Sequence, residues 1–399
     1  MSLHERIKAL LEEHDPASTP RTEFLRARFD AGLAWVHFPV GLGGLDAPRE
    51  QQRIVDEALA AAGAPDNDPY RIGIGLGMAA PTILAHGTDE QRRRFLRPLW
   101  TGEEVWCQLF SEPGAGSDLA GLATKAVRED GSDEGSDWIV TGQKVWTSMA
   151  HEARWAILIA RTDPSVPKHK GLTYFVCDMT DPGVEVRPLR QLTGEAEFNE
   201  VFLTGVRIPD AHRLGPVGAG WAVAQTTLMN ERVAIGGGAQ PREGGVIGVV
   251  AQAWRERPEL RTAAAHDALL DLWVQAEAAR LTATRLRQQL AAGHPGPEGS
   301  AAKLAFARLN QEISGFEVDL LGEEGLRYDD WSSDRWTTDR PTTVDFAGRG
   351  AGYRYLRAKG NSIEGGTSEI LRNIIAERVL GLPPEIRVDK DVPWKDLAQ

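Results

Sequence analysis

Four short runs of mostly β-branched, aromatic and aliphatic residues determine the predicted fold of this chain: WIV at 138–140, WAILI at 155–159, LTYFV at 172–176 and EVFL at 200–203. Turn signals such as Asp163-Pro164 separate the runs. Short strands at this spacing are typical of a small sandwich or barrel. The sequence therefore predicts a central β-domain.

Helical patterns flank this β-domain on both sides. On the N-terminal side, Asp89 is expected to cap a helix that Pro98 closes. On the C-terminal side, four long helices predict a bundle: 221–235, 260–292, 301–321 and 367–380. The predicted fold class is α+β, with an N-terminal helical domain (1–105), a central β-barrel (106–215) and a C-terminal four-helix bundle (216–399).

Composition and charge narrow the class of protein. The 399 residues are 42% hydrophobic and 26% charged, which is ordinary for a globular protein. The formal charge of −12 argues against nucleic-acid binding, which rests on cationic contacts to phosphates. Cys107 and Cys177 form neither a disulfide framework nor a metal signature. With no apolar run near 18–20 residues and no signal peptide, we expect a cytoplasmic enzyme without a metal or a membrane span.

Two loop-like segments could hold a ligand. The first, SEPGAGSD at 111–118, lets the backbone approach a ligand closely beside the hydroxyls of Ser111 and Ser117. It is not a dinucleotide fingerprint, and alone it is equally well an ordinary turn. The second, GQKVWTS at 142–148, places Trp146 before two hydroxyl residues, where an indole could flank a planar heterocycle. Alone, a core tryptophan is the commoner reading.

Two helical segments could supply chemistry. Glu231 follows Leu228 on an apolar helix, where burial would raise its pKa and suit a general base, although an exposed glutamate is commoner. The segment SIEGGTSEI at 362–370 offers backbone N–H groups at a helix start that could bind phosphate or an oxygen becoming negative. The alternative is a helix capped by Thr367 or Ser368.

Taken in this order, the segments 111–118, 144–148 and 366–372 resemble the acyl-CoA dehydrogenase family over nearly the whole chain. The resemblance implies FAD-dependent α,β-dehydrogenation of an acyl-CoA thioester to the trans-2-enoyl-CoA, as in fatty acid β-oxidation. It implies that electrons pass to an electron-transfer flavoprotein. It also implies an oligomer in which FAD lies between the β-domain and the bundle and a neighbouring subunit completes the site.

The resemblance also implies roles for individual residues. The backbone N–H of Gly365 corresponds to a donor to the thioester oxygen, which becomes negative in the reaction. FAD contacts would come from Leu109, Ser111, Trp146, Ser148, Thr367 and Glu369. Substrate contacts would come from Ser117, Leu228 and Arg232.

The base requires a choice between two glutamates. Many members of the family place it immediately before Gly-Thr-Ser, where this chain has Gly365. A minority branch places it on the first bundle helix before an arginine, which here is Glu231 before Arg232. We predict Glu231 as the base. Glu364 is the rival, because it lies one residue from the usual position.

Two segments depart from the family pattern. Residues 241–245 lack the Phe-Gly of an Arg-x-x-Phe-Gly segment, and residues 319–325 depart from a Gln-x-x-Gly-Gly-x-Gly run. In the family both help a neighbouring subunit hold FAD, so a heteromer with a related subunit stands beside a homodimer or homotetramer. A flavin oxidase or monooxygenase of the same fold, and a non-enzymatic binding subunit, remain alternatives.

Overall fold

The computed structural model describes residues 1–131, 135–236, 241–291, 297–328 and 349–397. The chain forms two compact units. The first comprises residues 1–189, 197–227 and 391–399, and the second comprises 190–196 and 228–390.

Five helices begin the first unit: α1 (Leu3–Glu13), α2 (Arg21–Asp30), α3 (Gln52–Ala61), α4 (Ala80–His86) and α5 (Asp89–Trp100). Thr88 rather than Asp89 caps α5, because Thr88 and Gln91 form a reciprocal capping box. Pro98 does not close α5, which continues to Trp100. Leu99 and Trp100 are buried, and their packing outweighs the one helical hydrogen bond that a proline removes.

Eight strands form one sheet in the first unit: β1 (Trp106–Leu109), β2 (Lys125–Arg128), β3 (Trp138–Ser148), β4 (Trp155–Arg161), β5 (Leu172–Asp178), β6 (Val184–Leu189), β7 (Phe198–Ile208) and β8 (Arg213–Leu214). Their order is β6-β7-β3-β2-β4-β5-β8, and β1 pairs with β4. All seven residues of β4 are buried, which explains its unbroken apolar run. Among the described residues β6 and β8 do not pair, so the sheet is open where a closed barrel was predicted. The prediction of a central β-domain between two helical regions is confirmed.

Helices return after β8: α6 (Gly220–Gly236), α7 (Val246–Glu256), α8 (Ala263–Ala291), α9 (Gly299–Leu321), α10 (Ala351–Ala358) and α11 (Ser368–Ile374). Apolar side chains of α7, α8 and α9, among them Val250, Leu272 and Ile313, form the core of the second unit. The predicted helix over 367–380 is α11 followed by a π-helical turn at Ile375–Val379. The predicted order of helices, sheet and helices is confirmed. Among the described residues, no helix combines the length and apolarity that a membrane span requires.

Candidate active site

A buried ion pair in the first unit fixes the segment that follows β1. The Lys144 ammonium donates to Glu112 Oε1 at 2.8 Å and to the carbonyls of Phe110 and Ile159 at 2.9 and 3.0 Å. Burial disfavours the charged form of Glu112, but the Lys144 charge and hydrogen bonds outweigh it and hold the pKa of Glu112 below its ordinary value. Burial lowers the pKa of Lys144, and Glu112 opposes that shift. The pair therefore anchors the start of the 111–118 segment to β3.

Trp146 projects from a β-bulge. Lys144 pairs with Val201 and Thr147 with Asn199, so two residues of β3 oppose one residue of β7. Trp146 has a φ of +60°, in the left-handed region that favours glycine, and is 61% exposed. The bulge thus turns an indole outward from an otherwise regular strand, and the ring edge meets Phe198 with centroids 6.0 Å apart.

The predicted FAD-contacting residues of the first unit lie on β1, β3 and the segment after β1. Val145 N donates to Ser111 O at 2.9 Å, which places Ser111 beside the bulge that carries Trp146. Ser148 ends β3 two residues further on and is half-buried. Leu109 is buried in the core of the sheet domain, so its side chain packs inward. Ser117, predicted to contact substrate, is exposed.

The predicted chemistry of the second unit centres on the loop before α11. Gly365 and Gly366 have φ values of +63° and +97°, which a residue with a β-carbon rarely adopts. Thr367 Oγ1 accepts a hydrogen bond from Ile370 N at 3.2 Å and caps α11, in line with the capping alternative. The Glu369 side chain is 76% exposed and lies 3.4 Å from Arg372. The two glycines therefore set a loop shape that presents backbone rather than side chains.

The two candidate bases differ in their surroundings. Both carboxylate oxygens of Glu364 are engaged: Oε1 accepts from Arg357 at 3.1 Å and from Asn361 at 2.7 Å, and Oε2 accepts from Arg357 at 2.8 Å. Glu231 lies on α6 and is half-buried, as is Leu228 one turn earlier. The side chain of Arg232 lies outside the described residues.

Two buried lysines were not predicted as site residues. Lys144 lies within the segment 142–148 that also carries Trp146, and Lys303 lies in α9 within the apolar run AAKLAF at 301–306. Lys303 is 4% exposed, and its ammonium donates to the carbonyls of Asn361 and Gly366. A single cation among apolar helix residues is the signal that could have identified Lys303, because a buried charge must be paired or hydrogen-bonded.

The residues of the first unit suit one face of a flavin. An exposed indole beside the Ser111 segment and the Ser148 hydroxyl offers a flat apolar surface with polar groups at its edge, which matches a planar heterocycle with polar ring atoms. In the second unit the glycine loop offers backbone donors without side-chain obstruction at the two glycines. The first unit therefore carries an aromatic ring and hydroxyl groups suited to FAD, and the second unit carries backbone donors suited to a thioester oxygen.

Three family models match the chain in sequence order. They describe the N-terminal domain of acyl-CoA dehydrogenases over residues 2–103, the middle domain over 107–206 and the C-terminal domain over 218–380.

Curated relatives from Mycobacterium tuberculosis bear acyl-CoA dehydrogenase names. The chain is 43% identical to FadE34 over 92% of this chain, but it spans only 47% of the length of FadE34. It is 37% identical to IpdE1, over 90% of this chain and 86% of that relative.

Solved structures agree with these relatives. One chain of the ChsE4–ChsE5 complex from Mycobacterium tuberculosis matches with a TM-score of 0.70 and 27% identity, covering 96% of this chain and 100% of that one. A variant of the Tcur3481–Tcur3483 steroid acyl-CoA dehydrogenase matches with a TM-score of 0.70 and 25% identity, covering 96% of this chain and 95% of that one.

Proposed function

The chain belongs to the acyl-CoA dehydrogenase family, and on that premise we propose that it catalyses FAD-dependent α,β-dehydrogenation of an acyl-CoA thioester to the trans-2-enoyl-CoA. Members of this family bind FAD. One observation carries the assignment of the base. Glu364 is held by Arg357 and Asn361 through both oxygens, and Gly365 has no carboxyl group, so of the two candidate glutamates we propose Glu231.

Glu231 removes the α-proton of the thioester in this proposal. As a carboxylate on a half-buried helix position, it takes the proton onto a side-chain oxygen and later releases it to solvent. The α-proton is weakly acidic, so the thioester oxygen needs a donor as its charge grows. The Gly365 N–H is that donor, and the positive φ of Gly365 supports this use because it turns the backbone as no β-carbon-bearing residue readily does.

FAD, when bound, supplies the acceptor for the hydride that leaves the β-carbon. Trp146, Ser111 and Ser148 are proposed to hold the ring, and Leu109 is proposed to contribute its backbone, because its side chain is buried in the sheet core. Thr367 and Glu369 are proposed near its ribityl and phosphate groups. Of these, Trp146 has the strongest support, since a bulge exposes its indole at the cost of a left-handed backbone. Ser117, Leu228 and Arg232 are proposed to contact the acyl-CoA.

We propose a bulky acyl group as substrate. Two observations support it: Gly365 leaves room where many other members carry a carboxylate, and one similar structure is that of a steroid acyl-CoA dehydrogenase. A thioester on a steroid or a branched chain is therefore expected to react better than a straight chain of equal carbon number.

A heteromer with a related subunit is the assembly we propose, with a homodimer or homotetramer as the alternative. Arg242, in the segment that departs from the family pattern, stacks over Trp273 of its own unit at 4.9 Å. FadE34 is about twice as long as this chain, and the similar ChsE4–ChsE5 structure is a complex. An electron-transfer flavoprotein is the proposed acceptor. Two buried free cysteines suit a reducing compartment such as the cytoplasm.

An anaerobic titration tests the function. The chain is purified alone and co-expressed with a related subunit, its FAD content is measured, and the visible spectrum is followed as straight-chain, branched and steroid-bearing acyl-CoA thioesters are added. We expect one thioester to bleach the flavin band and the reduced protein to reoxidise slowly in air. Flavin that no thioester bleaches would contradict the proposal, and fast reoxidation with peroxide would indicate an oxidase. Stoichiometric FAD on the chain alone would contradict the heteromer.

A further inference from the structure

The end of β3 has an unusual backbone on both sides of Thr147. Trp146 and Met149 each have a φ of +60°, and among the described residues only three others with a β-carbon have a positive φ. A residue with a β-carbon stays in this conformation only where the surrounding structure holds it there. Thr147 follows Trp146 directly, so the contacts that hold Thr147 also limit the orientation of the exposed indole.

Asn199 of β7 meets this segment from the core side of the sheet. It pairs directly with Thr147 in the register of the two strands. Asn199 and Thr147 are 0% and 1% exposed. Val201 and Leu203, two and four residues further along β7, belong to the hydrophobic core of the sheet. An amide among core-facing apolar side chains requires hydrogen bonds to compensate for its burial.

The two amide protons of Asn199 serve two backbone carbonyls of this region. Nδ2 donates to Thr147 O and to Glu197 O, each at 2.9 Å. Glu197 O also accepts from Met149 N at 2.8 Å, so the amide and the strained residue Met149 share one acceptor. Asn199 therefore ties the carbonyl that follows Trp146 to the residue that precedes Phe198, the start of β7.

The acceptor side of the same amide adds little to the fold. Asn199 Oδ1 is buried and has no hydrogen-bond partner among the residues that the structure describes. His151 Nδ1 lies 3.3 Å from Nδ2, on the donor side of the amide. A buried acceptor without a partner costs free energy. The contribution of Asn199 is thus its pair of donations to the backbone around Thr147.

We propose that Asn199 is a positioning residue for the flavin: through the Thr147 carbonyl it holds the bulge in the shape that presents the Trp146 indole to the ring. This inference rests on the proposed function, because it takes FAD as the cofactor and Trp146 as its contact. Asn199 acts from the core side of the sheet and does not itself touch the cofactor. A bulge that is already shaped for the ring lowers the cost of ordering it when FAD binds.

Three substitutions test this role. N199L keeps the branched shape of the side chain and removes both donors. N199D keeps the shape more closely, and its carboxylate accepts hydrogen bonds only, so it cannot serve the two carbonyls. N67L is the matched control, because Asn67 Nδ2 donates to a backbone carbonyl of the same unit, that of Trp100 at the end of α5, at 2.9 Å.

FAD affinity is measured by fluorescence titration of the apoprotein, with the related subunit present if the chain requires it to bind FAD. We expect N199L and N199D to weaken FAD binding about fivefold, and N67L to change it less than about twofold. Urea unfolding is expected to show a lower midpoint for all three variants.

A double-mutant cycle with W146G shows whether Asn199 acts through the indole. In the W146G background we expect N199L to weaken FAD binding by less than about twofold, because glycine has no ring to position and adopts the left-handed φ without strain. A role in fold stability alone would leave the effect of N199L the same in both backgrounds.

The outcomes distinguish this inference from the function beneath it. A wild type that binds no FAD, alone or with the related subunit, overturns the proposed function, and the role of Asn199 falls with it. A wild type that binds FAD while N199L binds it equally well overturns the role of Asn199 alone. An equal loss in N67L, or an equal effect of N199L in the wild type and in W146G, does the same. If N199L does not fold, N199D takes its place in the cycle, and failure of both to fold assigns Asn199 to fold stability and overturns the proposal.

Discussion

Lys144 Nζ lies 2.8 Å from Glu112 Oε1, and the two side chains are 0% and 7% exposed. The pair joins β3 to the segment after β1, one residue from Ser111 on one side and two residues from Trp146 on the other. We therefore expect loss of this pair to lower the stability of the first unit and to shift the residues of the proposed flavin contacts.

Removal of one partner of this pair is expected to be costly. K144M leaves the Glu112 carboxylate buried without its cation, and we expect a loss of about 3–5 kcal/mol in the free energy of unfolding. K125M is the control, since Lys125 is exposed on β2 and its loss should cost less than about 0.5 kcal/mol. Urea unfolding monitored by tryptophan fluorescence measures both. Equal losses in the two variants would contradict the assignment.

The proposed base is tested by removing its charge alone. E231Q should retain FAD and lose flavin reduction by at least about a thousandfold, because an amide cannot accept the α-proton. E364Q should keep reduction within about tenfold, since Glu364 acts here as a partner of Arg357 and Asn361. Stopped-flow reduction with a saturating thioester measures the rates. Reduction retained in E231Q and lost in E364Q would transfer the role to Glu364.

The exposed indole of Trp146 should matter to FAD more than to folding. W146G should weaken FAD binding about tenfold through lost ring contact. Its unfolding free energy should change by less than about 1 kcal/mol, because relief of the left-handed φ offsets the added freedom of glycine in the unfolded chain. W146F should retain most of the affinity. Fluorescence titration of the apoprotein with FAD measures each. Unchanged FAD affinity in W146G would exclude Trp146 from the cofactor site.

Asp210 should make the first unit sensitive to acid. Hydrogen bonds from Arg213 and Trp138, together with the charges of Arg213 and Arg128, hold the pKa of Asp210 at about 2 despite burial. Its folded pKa lies below the unfolded value of about 4, so its contribution is present above pH 4 and is lost as the pH falls through about 2.

The variant D210N tests that contribution. We expect a loss of about 1–2 kcal/mol in unfolding free energy at pH 7. The difference in unfolding free energy between D210N and the wild type should become steadily smaller as the pH falls from 4 to 2. D89N is the control, because the Asp89 side chain is 74% exposed. A gap that is constant with pH would show that Asp210 acts through hydrogen bonding alone.

Local patterns predicted much of the fold. The run at 155–159 lies within β4, since β-branched and apolar residues suit a strand that is buried throughout. The predicted capping residue of α5 was wrong by one position. Thr88 and Asp89 are both residue types that cap helices well, and only the reciprocal hydrogen bonds between Thr88 and Gln91 decide between them. The open edges of the sheet could not be predicted, since strand spacing along the chain carries no information about closure.

The sequence predicted the segments that make up the candidate site but not the hydrogen bonds that join their side chains to other parts of the chain. Glu231 and Glu364 were recognised by residue type and position. The pairing of Glu364 with Arg357 depends on a loop shape set by the positive φ of two glycines. The contact of Lys303 with that loop joins residues 58 and 63 positions apart. Contacts of this range follow from the packed fold and leave little local signal.

The two buried lysines, Lys144 and Lys303, hold their neighbouring segments through backbone carbonyls. Lys144 binds the carbonyls of Phe110 and Ile159, and Lys303 binds those of Asn361 and Gly366. Every amino acid has a backbone carbonyl, so these four hydrogen bonds do not depend on the side chains of the residues that accept them. Side chains in these segments can therefore change while the four hydrogen bonds stay in place. Under the proposed function, such substitutions are expected to alter which acyl group is accepted without loss of the loop shape.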